Sequence, residues 1–117
     1  MYSERLLEHF QNPRNVGEVE GALVVELQNP ACGDVLRLSA RVERGCIAEV
    51  RYKVRGCTAS IACGSAMTEI LLGMGVAELP GVDAARIVAA VDGLSPESRH
   101  AAVLCADAVA ALRRTLA

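Results

Sequence analysis

The sequence predicts an α+β fold, in which a small three-stranded antiparallel sheet is followed by several helices that pack against it. Apolar residues recur at every second position in the first half of the chain and at every third or fourth position in the second half. These are the periods of strands and of helices. Strands that precede the helices, instead of alternating with them, are typical of the α+β class. The 117 residues are expected to form a single domain, 1–117.

Three segments of the first half have the composition of strands. Residues 22–27 are apolar and rich in strand-forming residues, and residues 36–42 and 50–54 alternate apolar with polar side chains. Arg44-Gly45 lies between the two alternating segments and predicts the turn of a hairpin. The sheet is therefore expected to bury one face and to expose the other.

The predicted helices are marked by the residues that begin and end them. Asn12-Pro13 should end a short first helix, because the residue before a proline disfavours helical geometry. Gly73 should end the second helix and Asp92-Gly93 a short third one. The predicted N-caps, in chain order, are Ser3, Thr58 or Ser60, Asp83 and Ser95. The Ala-rich sequence that ends the chain predicts a long last helix.

Charge and composition argue against several classes of function. A net charge of −2 gives no electrostatic reason to expect a nucleic-acid partner. The apolar runs are short and interrupted by charges, so no membrane span is expected, and the N-terminus lacks the pattern of a signal peptide. Five cysteines, an odd number, argue against a secreted disulfide framework. Reduced thiols and a cytoplasmic location are therefore predicted.

The placement of the cysteines indicates the chemistry. Cys32, Cys57 and Cys105 lie on three separate segments, with Asp34 and His100 near them in the sequence. This combination suggests a site for a soft metal or an iron–sulfur cluster. Cys32 should lie in a loop between two strands. Cys57 should lie just ahead of a helix N-terminus, where backbone N–H groups and the helix dipole favour the thiolate.

Free cysteines are also ordinary core residues, because a thiol behaves as a small apolar group. A structural role is favoured for Cys46, which lies beside a turn at the start of a strand. Packing is favoured for Cys63, because it follows Cys57 by six residues, a poor helical spacing for two side chains that share a site.

Four motifs lie in order along the chain. They are residues 9–17, residues 29–34, Gly56-Cys57 with the small-residue helix that follows it, and residues 94–109, which contain His100. Together they resemble the NifU/IscU-type scaffolds of iron–sulfur cluster assembly, and the resemblance is collinear from about residue 2 to residue 112. It implies the same α+β fold, with helices packed on a three-stranded sheet.

The resemblance also implies a function. Scaffolds of this type are not enzymes: they take sulfur as a persulfide from a cysteine desulfurase, combine it with iron in a [2Fe–2S] cluster, and pass the cluster to apo acceptor proteins. By this resemblance Cys32 and Cys57 are thiolate ligands and Asp34 is a carboxylate that ligates or tunes lability. His100 is a neighbouring ligand or proton partner. The same site can hold zinc, and a monomer or weak homodimer is expected.

The sequence departs from the resembled pattern at two points. The pattern calls for His-Cys, whereas this chain has His100-Ala101. Cys105 follows one helical turn later, about 5.4 Å along the axis, and could replace the missing ligand or fill the core. Residues 95–98 replace a double-proline motif that a dedicated chaperone reads in some members, which counts against transfer through that chaperone.

Three functions remain open at this point. The first is an iron–sulfur scaffold or carrier that uses Cys32, Asp34, Cys57 and His100, with or without Cys105. The second is a degenerate module that holds zinc or docks the desulfurase without building a cluster. The third is a thiol enzyme or persulfide carrier with Cys57 as nucleophile, and the lack of a Cys-x-x-Cys pair counts against it.

Overall fold

A computed structural model describes residues 2–30 and 33–116 of the chain. It confirms the predicted α+β class, with strands first and helices after them. In chain order the elements are α1 (Glu4–Gln11), β1 (Leu23–Gln28), β2 (Val35–Glu43), β3 (Cys46–Arg55), α2 (Thr58–Leu71), a 3-10 segment (Val76–Gly81), α3 (Ala84–Ala90), a 3-10 turn (Pro96–Ser98) and α4 (Arg99–Leu116). Among these helices, none is long and apolar enough to cross a membrane.

The described strands form one antiparallel sheet in the order β1-β2-β3. The predicted hairpin joins β2 to β3, and Arg44 and Gly45 have positive φ angles of 53° and 76°, as a tight hairpin turn requires. Alternate residues face the helices, so that Leu36, Leu38 and Tyr52 are fully buried. The alternation seen in the sequence therefore gives the sheet its buried face, as predicted.

Helix α2 lies against the buried face of the sheet and is itself almost wholly buried. Small side chains along it allow this close approach. Gly64 is the tightest point, because a Cβ at this position would collide with the ring of Tyr52. The Tyr52 hydroxyl donates a hydrogen bond of 2.8 Å to the carbonyl oxygen of Ile61 on the same helix. A glycine inside a helix costs about 1 kcal/mol relative to alanine, and here it admits a buried aromatic ring.

Of the four predicted N-caps, Ser3 and Asp83 are confirmed, the N-cap of α2 is wrong, and Ser95 caps the 3-10 turn that leads into α4 without a capping side-chain hydrogen bond. The Ser3 hydroxyl and the Asp83 carboxylate accept hydrogen bonds from the first turns of α1 and α3. The N-cap of α2 is Cys57, and neither Thr58 nor Ser60 has that role. Local preference for a hydroxyl cap is outweighed here, because β3 ends only two residues before the helix begins. Cys57 is thereby fixed at the helix N-terminus.

The end of α1 and the segment that follows it are joined to α2 by hydrogen bonds. His9 is 4% exposed, and its Nδ1 lies 2.8 Å from the hydroxyl oxygen of Ser65. The same oxygen accepts a hydrogen bond of 2.9 Å from the backbone N–H of Arg14, so the hydroxyl proton can point to the imidazole. Asn15 donates to the hydroxyl of Thr68 at 3.1 Å. We call His9, Arg14, Asn15, Ser65 and Thr68 the α1–α2 lock.

Candidate metal centre

Three predicted site residues meet at one end of the molecule. Asp34 precedes β2, Cys57 caps α2 and His100 is the second residue of α4. Their ligand atoms all lie within 4.8 Å of one another. The Cys57 Sγ and the Asp34 Oδ2 are each 3.7 Å from the His100 Nε2. Three segments distant in the sequence therefore present a sulfur, an oxygen and a nitrogen to one point.

Among the described residues, Gly56 and Ser60 hold the carboxylate of Asp34 in place. Its side chain packs against the backbone of Gly56, where an added Cβ would lie 2.5 Å from the Asp34 Cγ. From α2, the Ser60 hydroxyl donates a hydrogen bond of 2.5 Å to the Asp34 Oδ2. The backbone carbonyl of Asp34 accepts a hydrogen bond of 2.8 Å from the N–H of Asn29. The residue is 7% exposed, so its position is set by the fold.

Cys57 lies at the positive end of the α2 dipole. As the N-cap residue it adjoins backbone N–H groups of the first turn that have no partner within the helix, and such groups favour an anion. The Sγ is 3.4 Å from the hydroxyl oxygen of Ser60, and the residue is partly exposed. The thiol is therefore reachable from outside and lies beside the N-terminus of α2.

The orientation of His100 is fixed by the turn that precedes α4. Its Nδ1 lies 2.9 Å from the carbonyl oxygen of Glu97. A carbonyl only accepts, so Nδ1 carries a proton and donates it, which leaves the lone pair of the neutral ring on Nε2. That lone pair is on the nitrogen 3.7 Å from the atoms of Cys57 and Asp34. This is the tautomer that a histidine needs to bind a metal through Nε2.

The donor set and its dimensions suit a transition metal. Thiolate, imidazole and carboxylate ligands together are typical of zinc and iron sites. Around a tetrahedral zinc ion with bonds of about 2.0–2.3 Å, ligand atoms lie about 3.3–3.8 Å apart. Two of the separations at this site are 3.7 Å. The third separation, between the ligand atoms of Asp34 and Cys57, lies within 4.8 Å, so the three side chains fit a metal once they draw slightly closer together.

The remaining cysteines lie in different surroundings. Cys32, predicted as a thiolate ligand, lies outside the described residues, and its role stays a prediction. Cys105 is 1% exposed in the core, and burial raises the pKa of its thiol well above the usual range. Cys63 is buried as expected for packing, and burial raises its pKa to about 12. Cys46 is exposed at the start of β3.

The resembled pattern has a cysteine where this chain has Ala101, and the core position of Cys105 indicates whether Cys105 can replace it. Within the described part of the chain, the group of converging ligand atoms consists of those of Asp34, Cys57 and His100. Ala101, which follows His100, has no exposed surface. The structure thus brings together three of the five predicted site residues, and it places Cys105 on the core side of α4.

Sequence reasoning missed the part that Ser60 plays at this site. Ser60 was considered only as a helix cap, yet its hydroxyl bonds the carboxylate of Asp34 across 26 residues of sequence. A local pattern carries no trace of such a tertiary contact. The sequence did contain one signal: Ser60 follows the candidate ligand Cys57 by three residues, about one helical turn, at the start of the same helix.

Comparison with known proteins agrees with the resemblance seen in the motifs. The sequence profile of the NifU-like N-terminal domain matches residues 1–114. An iron–sulfur cluster assembly scaffold protein IscU of Archaeoglobus fulgidus is 37% identical over 117 residues, covering 99% of this chain and 74% of that protein. The IscU scaffold protein of Azotobacter vinelandii is 36% identical over 120 residues, covering 97% of this chain and 91% of that protein.

A solved structure shares the fold. The crystal structure of a nitrogen-fixing NifU-like protein (N-terminal) from Brucella abortus superposes with a TM-score of 0.78 at 22% identity, covering 97% of this chain and 92% of that one. The sequence profile and the relatives extend over nearly the whole chain. This chain belongs to the NifU-like N-terminal domain family.

Proposed function

We propose that this protein is a scaffold on which an iron–sulfur cluster is assembled and from which it is passed on. The observation that supports this most directly is the convergence of Asp34, Cys57 and His100, with their ligand atoms within 4.8 Å of one another. Membership of the NifU-like family and the scaffold function named for relatives such as the Azotobacter IscU point the same way.

The mixed donor set suits a cluster that must be released. Thiolates bind iron strongly, and permanent clusters are commonly held by four of them. We propose that Cys57 and Cys32 supply thiolates for a [2Fe–2S] cluster, and that Asp34 and His100 complete the site. A carboxylate oxygen and an imidazole nitrogen are harder ligands than sulfur and hold one iron less firmly. The cluster is then stable enough to form and labile enough to move to an apo acceptor.

We propose that sulfur arrives from a cysteine desulfurase as a persulfide. A thiolate of the scaffold attacks the outer sulfur of the donor persulfide, the donor S–S bond breaks, and the donor leaves as a thiolate. At the site, the partly exposed Cys57 is the acceptor that the described residues offer. Reduction of the transferred sulfur to sulfide takes two electrons from an external reductant. The protein itself is proposed to be non-catalytic and to work in the cytoplasm.

Anaerobic reconstitution with iron, a sulfur source and a desulfurase tests the scaffold function. We expect iron and acid-labile sulfide to be retained by the wild-type chain and lost in Cys57→Ser. Cys46→Ser is the matched control, because Cys46 is exposed and lies at the other end of β3. Equal loss in both variants, or retention in both, would contradict the assignment of Cys57.

A second function is favoured by the burial of Ala101 and Cys105, which leaves the described site with one thiolate. In this alternative the protein holds zinc, or docks the desulfurase, without building a cluster. A folded wild-type chain that binds zinc and retains no sulfide would support it. If only a third thiolate is lacking, Ala101→Cys should lengthen the cluster lifetime, and Cys105→Ala should leave it unchanged.

A further inference from the structure

Ser60 is a buried hydroxyl between two of the site residues. It is 1% exposed and lies in the first turn of α2. Its Oγ is 2.5 Å from the Asp34 Oδ2, to which it donates, and 3.4 Å from the Cys57 Sγ. The Ser60 hydroxyl is therefore shielded from water. It is also held in place, because α2 is almost wholly buried.

We propose that Ser60 is a positioning residue, which holds the carboxylate of Asp34 in place for a metal at the Asp34–Cys57–His100 site. This inference rests on the metal-binding part of the proposed function. The oxygen that accepts the Ser60 hydrogen bond is the same Oδ2 that lies 3.7 Å from the His100 Nε2. Ser60 therefore fixes the carboxylate oxygen that faces the other ligands.

The hydrogen bond from Ser60 is compatible with metal binding at that oxygen. A carboxylate oxygen has two lone pairs, so Oδ2 can accept from Ser60 and still coordinate. The backbone of Gly56 restricts the carboxylate from another side, since even a Cβ there would lie 2.5 Å from the Asp34 Cγ. With the side chain already oriented, less conformational entropy is lost when the metal binds. Partners of this kind commonly change metal affinity about 10–100-fold.

A double-mutant cycle tests whether Ser60 acts through Asp34. Zinc affinity is measured by chelator competition for the wild-type chain, Ser60→Ala, Asp34→Ala and the double variant. We expect Ser60→Ala to weaken zinc binding about 10–100-fold in the wild-type chain and to have no further effect in Asp34→Ala. An equal loss in both backgrounds, or no loss in either, would overturn the proposal.

Ser65→Ala is the matched control on the same helix. Ser65 is also a buried hydroxyl, but its hydrogen bonds among the described residues go to His9 and Arg14 in the α1–α2 lock. We expect it to lower the melting temperature and to leave zinc affinity unchanged. An equal loss of affinity in Ser65→Ala would show that Ser60→Ala acts by loosening α2, and would overturn the positioning role.

The absorption spectrum of the Co²⁺-substituted protein gives a second readout. Its ligand-field bands report the geometry around the metal, so they should change in Ser60→Ala, return in Ser60→Thr, which keeps the hydroxyl, and stay unchanged in Ser65→Ala. Unchanged bands in Ser60→Ala would contradict the positioning role. Both readouts need only the metal. A chain that binds zinc as described but builds no cluster would refute the scaffold function and leave the role of Ser60 intact.

Discussion

The two histidines of the chain lie near two serines of α2, in opposite surroundings. His9 lies deep in the α1–α2 lock, where Nδ1 contacts Ser65 and Nε2 lies 3.5 Å from a carboxylate oxygen of Glu69. His100 is partly exposed, and only its Nδ1 is engaged by the backbone, through the carbonyl of Glu97. Its Nε2 faces the sulfur of Cys57 and the carboxylate of Asp34.

The difference separates a histidine with a structural role from a candidate metal ligand. In the lock, the polar groups near the imidazole are a hydroxyl, a carboxylate and a guanidinium, which stabilise one another. At the site, the atoms facing Nε2 are both good metal ligands, and the backbone fixes the tautomer that leaves the lone pair on that nitrogen. Both histidines have a carboxylate oxygen near Nε2, so it is the sulfur of Cys57 beside the Nε2 of His100 that distinguishes them.

Replacing each histidine by alanine should separate stability from metal binding, and this is the largest effect we expect. His9→Ala removes a buried side chain and a partner of Ser65, and should lower the free energy of unfolding by about 2–3 kcal/mol. His100→Ala should change it by less than about 0.5 kcal/mol and weaken zinc binding at least about tenfold. Urea unfolding and chelator competition on both variants measure the two effects. Weakened zinc binding in a folded His9→Ala protein would contradict the assignment of His9 to stability and of His100 to metal binding.

Two glycines allow the same comparison at the level of packing. A Cβ at Gly56 would press on the carboxylate of Asp34, and a Cβ at Gly64 would press on the ring of Tyr52. We expect Gly64→Ala to cost about 1–3 kcal/mol of stability through overpacking and to leave zinc affinity unchanged. Gly56→Ala should displace the carboxylate and weaken zinc binding several-fold, with a smaller loss of stability. Equal losses of zinc affinity in Gly56→Ala and Gly64→Ala would contradict this difference between the two glycines.

The same contrast explains how much the sequence alone could predict. The period-two segments gave the strands and Arg44-Gly45 gave the hairpin, because a buried face and a tight turn impose local patterns. Cys57 was singled out because it lies just ahead of a predicted helix N-terminus, and the role of Asp34 came from the resemblance. Their convergence with His100 was an expectation from resemblance, and it took the packing of α4 to bring His100 to them.

What could not be predicted depends on contacts between distant segments. The predicted N-cap of α2 was wrong, because the local preference for a hydroxyl at Thr58 or Ser60 says nothing about the short connection from β3. His9 gave no sign of a buried lock, because its partner Ser65 lies 56 residues away. The hydrogen bond from Ser60 to Asp34 is of the same kind. Both serines look alike in the sequence, and only the fold assigns one to the site and the other to the lock.

The smallest expected effect concerns pH and the lock. Burial is the main cause that lowers the pKa of His9, and the neighbouring guanidinium of Arg14 lowers it further. A histidine whose pKa is lower in the folded state binds a proton more readily when the chain unfolds. The stability that neutral His9 contributes is therefore complete above about pH 6.5, the usual pKa of histidine, and falls as the pH drops below that value.

Urea unfolding of the wild-type chain and of His9→Gln, at several pH values, measures this contribution. The carboxylates of Glu8 and Glu69 and the guanidinium of Arg14 also act on the imidazole. Both proteins contain these groups, so the difference in unfolding free energy between the two proteins reports on His9. We expect the stability advantage of the wild-type chain to shrink between about pH 7 and about pH 5. A difference that stays constant, or grows as the pH falls, would mean that folding does not lower the pKa of His9. The two histidines would then differ less than their surroundings indicate.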